Sequence, residues 1–164
     1  NVHSLAAGDF ILIAPPGWDH YCYLGSFYYD SSEVRNFYDT GSIVKAKMVV
    51  NSTTSIATGA FASATEIKFQ GNISPLATGV ILDSSATISS ASTGNVAEYF
   101  DGDSGAHTVQ TKYVEKEATG NLTYVFDNVQ VPFLYHQTIH YKNAGSLNGS
   151  RVSGQLETTG WFEP

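Results

Sequence analysis

Leu122-Thr123-Tyr124-Val125-Phe126-Asp127 sets Leu122, Tyr124 and Phe126 on one side of an extended chain and Thr123 and Asp127 on the other. A repeat of two marks a half-buried strand, because successive side chains of an extended backbone point to opposite faces. Working outward, the same repeat recurs. Between Ile43 and Val50, Val44, Ala46, Met48 and Val50 oppose Lys45 and Lys47. Ile67 and Phe69 oppose Glu66, Lys68 and Gln70, and Val152 and Leu156 oppose Arg151, Ser153, Gln155 and Glu157. Helical periodicity is nearly absent.

Turn signals separate these runs: Pro15-Pro16-Gly17, Asp39-Thr40-Gly41, Gly71-Asn72, Gly94-Asn95, Asp101-Gly102, Gly120-Asn121 and Asn148-Gly149. Short alternating runs between such signals predict a single all-β domain over residues 1–164. Its expected form is an antiparallel β-sandwich, jelly-roll or Ig-like, of about ten strands, with a closed β-barrel as the alternative. One short helix is expected at Ser31 to Tyr38, where Ser31 or Ser32 can cap and Glu33 follows. Ser52 to Thr65 and Ser84 to Gly94 are rich in small side chains, which pin register poorly, and read as weakly specified edge strands or surface loops.

Eight Lys and Arg stand against fifteen Asp and Glu, and the basic residues are scattered, so the chain lacks the electrostatic footing for nucleic acid. No apolar run approaches the roughly 20 residues of a membrane helix. Charged residues make up 14% of the chain, below the roughly 25% of an average domain, and Ser, Thr, Gly and Ala take their place. That composition points to an extracellular, cell-surface or virion protein. The chain opens on Asn1 rather than Met, as expected of a processed or trimmed chain. Sequons at Asn51, Asn72, Asn121 and Asn148 are the expected glycosylation sites of an exported glycoprotein. Cys22 is the single cysteine, so no internal disulfide can form, and it is read as a buried thiol.

Asp9 to Ala14 differs from the alternating runs. Phe10, Ile11, Leu12 and Ile13 make it apolar on both faces, so it wants covering on both sides. Residues 1–14 are therefore a candidate exchanged or docking strand that completes a neighbour's sheet. The Tyr-rich stretch from Trp18 to Tyr38 reads as core or as a protein interface. The alternative is a ligand platform of Trp18, Tyr21, Tyr23 and Trp161, on which sugar rings would stack.

Other constellations are weaker. His136 and His140 would share a metal on a helix, but on a strand they stand about 13 Å apart, too far for one zinc. Asp101 and Asp103, with Glu98 nearby, resemble the start of a calcium loop, although Gly105 falls where an oxygen ligand should sit. Calcium is the one cofactor this spacing suggests. Gly102-Asp103-Ser104-Gly105 is similar to part of the motif around the serine of trypsin-like proteases, but Ala106-His107 replaces the residues that follow it. With no nucleotide loop, triad or close carboxylate pair, the expected function is non-catalytic: a structural subunit of an extracellular assembly (surface filament, coat or virion component). Its partners would be copies of itself or other extracellular proteins. The alternatives are a secreted carbohydrate- or small-ligand-binding module, with glycans as partners, and a small β-barrel enzyme.

Overall fold

A computed structural model of the chain describes residues 29–30, 33–34, 37–39, 43–46, 52–55, 63–69, 73–74, 76–102, 108–134 and 137–164. The early strands are short: β1 (Tyr29–Asp30), β2 (Glu33–Val34), β3 (Phe37–Asp39), β4 (Ile43–Ala46), β5 (Ser52–Ser55) and β6 (Thr65–Lys68). The later ones are longer: β7 (Gly79–Ser90), β8 (Gly94–Asp101), β9 (Thr108–Lys116), β10 (Gly120–Pro132), β11 (Thr138–Ala144) and β12 (Arg151–Phe162). A 3-10 turn at Asn148–Ser150 precedes the last. The protein is all-β, and its ladders are antiparallel.

The large sheet runs β10-β7-β12-β4-β3, with β5 also paired to β12, and the small sheet runs β6-β11-β8-β9. β1 and β2 pair separately. Both buried clusters draw on both sheets. In the larger, Val80, Leu82, Val129, Val131, Leu156 and Trp161 of the large sheet meet Ile67, Phe100, Ile139 and Tyr141 of the small one. In the smaller, Ala86, Ile88 and Tyr124 meet Val96 and the loop residue Leu147. The expected alternation holds where it can be checked: Ile67 and Phe69 are buried while Glu66 and Lys68 are exposed.

Three expectations are corrected. Most of Ser84 to Gly94 is neither loop nor edge: residues 84–90 belong to β7, flanked by β10 and β12, and only 91–93 form the turn into β8. The small side chains Ser84 and Ala86 are buried, and the long neighbours described below occupy the room they leave. The helix expected at Ser31 to Tyr38 is replaced by β2 and β3, with Phe37, Tyr38 and Asp39 opposite Ala46, Lys45 and Val44. A two-turn helix has few hydrogen bonds to offset its nucleation, whereas the ladder pairs the backbone of Phe37 and Tyr38, both good strand formers. In place of the closed barrel, the described strands form separate, unclosed sheets: β9 and β10 follow one another yet lie in different sheets, and no ladder joins them among the described residues.

Bulges in β10 and β12 decide which of their side chains face inward. In β10 the register shifts between Phe126 and Val129, so the inward set passes from Leu122, Tyr124 and Phe126 to Val129 and Val131. Asn128, at φ 56°, takes the left-handed turn in the backbone, and its N–H donates to Asp83 Oδ1 at 2.8 Å. In β12 shifts at Val152 and at Thr159 put Arg151, Leu156, Thr158 and Trp161 all on the buried side. Arg151, expected toward solvent, is thus fully buried, and Val152, expected inward, is 59% exposed. Each extra residue reverses the odd-even sense of the strand.

Candidate functional site

β8 carries Val96, Glu98 and Phe100 on its inward face, so the pleat drives a carboxylate into the core beside two apolar neighbours. Burying a charge is tolerable when it is paired and hydrogen-bonded. Both partners of the Glu98–Arg151 ion pair are fully buried, with Arg151 Nη2 3.1 Å from Glu98 Oε1. Tyr124 donates its hydroxyl to the same oxygen at 2.7 Å, and Ser84 donates its own to Glu98 Oε2 at 2.5 Å. Arg151 Nη1 donates to the Tyr141 hydroxyl oxygen at 3.4 Å, and the guanidinium lies 5.8 Å from the centre of the Tyr124 ring.

These five residues come from five strands. Ser84, Tyr124 and Arg151 belong to β7, β10 and β12 of the large sheet, and Glu98 and Tyr141 to β8 and β11 of the small sheet. Burial first, and then the charge of Glu98, push both tyrosine hydroxyls well above their ordinary pKa, so they stay protonated. With both carboxylate oxygens engaged and its side chain sealed from solvent, Glu98 is placed to hold the sheets in one relative position.

Lys116 makes a second tie. It is 4% exposed, and its ammonium donates to the carbonyls of Ser90, Ser92 and Ala118 at 2.8, 2.9 and 2.5 Å. The first two acceptors lie where β7 of the large sheet turns into β8 of the small one. The third lies where β9 turns back into β10. One side chain thus fastens two crossings between the sheets.

β10 forms one edge of the large sheet, and no strand pairs its outer side among the described residues. Its halves differ. Residues 127–132 carry Asp127, the bulge and Pro132, all devices that discourage further pairing. Residues 120–126 (Gly-Asn-Leu-Thr-Tyr-Val-Phe) carry no charge and no proline. The edge strands of the small sheet, by contrast, bear Lys112 and Glu115 on β9 and Glu66 and Lys68 on β6. Val125 of the uncharged edge is 54% exposed.

No protein-family model and no curated protein matches this chain. The residues marked by sequence scatter. Phe10, Ile11, Leu12, Ile13, Trp18, Tyr21, Cys22, Tyr23, Asn51, Asn72, Asp103 and His136 lie outside the described residues. Trp161, expected on an open platform, is 1% exposed in the core, and its indole N–H donates to Glu163 Oε1 at 2.8 Å. Asn121 is exposed near the start of β10, whereas Asn148 is half-buried with its Oδ1 enclosed. Asp101 is 4% exposed, and Glu98, considered beside it as an oxygen ligand, points into the core and is committed to Arg151. Among the described residues no three His, Cys, Asp or Glu side chains gather around a metal-sized space, and no helix is long and apolar enough to cross a membrane. Sequence reading missed the Glu98–Arg151 pair, although a carboxylate on the Val96–Phe100 face was a visible signal of a buried partner.

Proposed function

We propose that the chain is a non-catalytic structural subunit of an extracellular assembly, folded as an antiparallel β-sandwich and joined to its neighbours by strand pairing. The observation that carries this reading is the uncharged edge of β10 over residues 120–126. An open edge presents unpaired N–H and C=O groups at strand spacing, which is a template for a further strand. Tyr124 anchors this edge to the opposite sheet through Glu98, so an incoming strand would meet a rigid ladder. Residues 10–13, apolar on both faces, are the segment suited to fill it from a second copy. The exposed Asn121 and the low charge support an exported, glycosylated protein.

Two variants test the reading by sedimentation of the native particle. Deleting residues 1–14 and, separately, Val125→Lys should each convert assemblies to monomers with the β signature of the circular dichroism unchanged. Assembly that survives both changes, or a wild-type chain that is monomeric at every concentration, overturns it.

A further inference from the structure

Asp101 and His140 stand directly opposite each other on β8 and β11, so their side chains leave the same face of the small sheet. It is the face away from the core, since the adjoining pair, Phe100 and Tyr141, points inward. Asp101 is 4% exposed, and its Oδ1 is buried without a hydrogen-bond partner. The Nδ1 of His140 is likewise buried without a partner. A buried carboxylate oxygen or imidazole nitrogen left bare is costly and calls for a guest. Here the two bare atoms belong to facing residues, and a direct hydrogen bond does not join them.

We propose that Asp101 and His140 form a two-residue site for a divalent transition-metal ion of the Zn2+ class. A carboxylate oxygen and a neutral imidazole nitrogen each offer a lone pair, the donor set that suits zinc, and one cation satisfies both at once. The reach is adequate: facing residues of a ladder have Cβ atoms about 5 Å apart, and each zinc–ligand bond is about 2.1 Å. Water completes the shell, as two protein ligands leave coordination positions open. Glu66 faces His140 from β6 on the other side but is exposed and paired with Lys68 at 3.4 Å, so it is left out of the site. The pairing differs from both readings of the sequence, which joined Asp101 to Asp103 and His140 to His136.

The test is calorimetric titration of the full chain with Zn2+, alongside thermal unfolding with and without the ion. The expected result is one site with a rise in melting temperature, weakened at least tenfold by His140→Ala and by Asp101→Asn and unaltered by His136→Ala. His140→Ala guards against misfolding as an explanation, because this residue is only half-buried. Absence of Zn2+ binding, or binding that His140→Ala leaves intact, overturns the proposal.

Discussion

The hydroxyl of Tyr124 on β10 lies 2.7 Å from Glu98 Oε1 on β8, a hydrogen bond from one sheet to the other that shares its acceptor oxygen with Arg151. Two hydroxyl donors, from Tyr124 and Ser84, and the Arg151 cation thus converge on a single buried carboxylate. Such an arrangement is costly to break from one side, because the partner is left charged in an apolar setting.

Glu98→Leu should therefore destabilise the protein by about 3–5 kcal/mol, since it strands the Arg151 guanidinium. Tyr124→Phe, which removes one donor and leaves the ion pair, should cost about 1.5–3 kcal/mol. Glu98→Leu combined with Arg151→Met should recover much of the single loss, because no charge remains buried. Urea unfolding of the four proteins checks all three expectations. A double variant no more stable than Glu98→Leu alone would contradict the assignment.

Alkaline pH should act on the same cluster. Tyr124 and Tyr141 are held above the ordinary tyrosine pKa of about 10 by burial and then by Glu98. Above that value the unfolded chain has released protons that the folded chain retains, so stability is fully present below about pH 10 and falls as pH rises. Each tyrosine contributes a slope of about 1.4 kcal/mol per pH unit there. Replacing both by Phe should flatten the fall, and tyrosinate absorbance should show the two groups titrating only as the wild-type fold is lost.

Alternation made the all-β class readable, and its failures trace to particular residues. Within 122–126 and again at Ile67 and Phe69 the odd-even sense is constant, and the inward residues follow from it. In β12 the extra residues Val152 and Thr159 reverse that sense twice, so a strict count sends Arg151 to solvent. The central position of β7 was hidden for a different reason. Its small side chains carry little hydrophobic signal, and their value lies in the space left for Glu98, Tyr124 and Arg151, which come from distant parts of the chain. The candidate site was less legible still: Asp101 was marked, but its facing residue depends on the register of β8 against β11.

The β10 bulge yields a separate expectation. Asn128 sits at φ 56°, where side chains other than Gly, Asn and Asp are strained. Asn128→Gly should leave stability within about 0.5 kcal/mol, while Asn128→Val should cost about 1–2 kcal/mol through the left-handed backbone. Asp83→Ala, which removes the acceptor of the Asn128 N–H, should destabilise in the same direction. Equal stability of the Gly and Val variants in denaturant unfolding would show that the bulge is not held in this conformation.

Lys116 offers the sharpest separation of local from global effects. Its ammonium has three protons and three carbonyl acceptors, contributed by two turns that each carry the chain from one sheet to the other. Lys116→Met keeps the apolar stem and removes all three bonds, for an expected loss of about 2 kcal/mol, because hydrogen bonds to a charged group exceed neutral ones. Lys116→Arg should not restore it, since a planar fork cannot follow three acceptors converging on one point. Hydrogen exchange provides the discriminating readout. Amides of 90–94 and of 117–120 should both exchange faster in Lys116→Met, although neither turn is next to the other in sequence, while those at the centre of β7 change only as far as global stability does. Acceleration confined to 117–120 would mean that the side chain serves its own turn and does not tie the two crossings together.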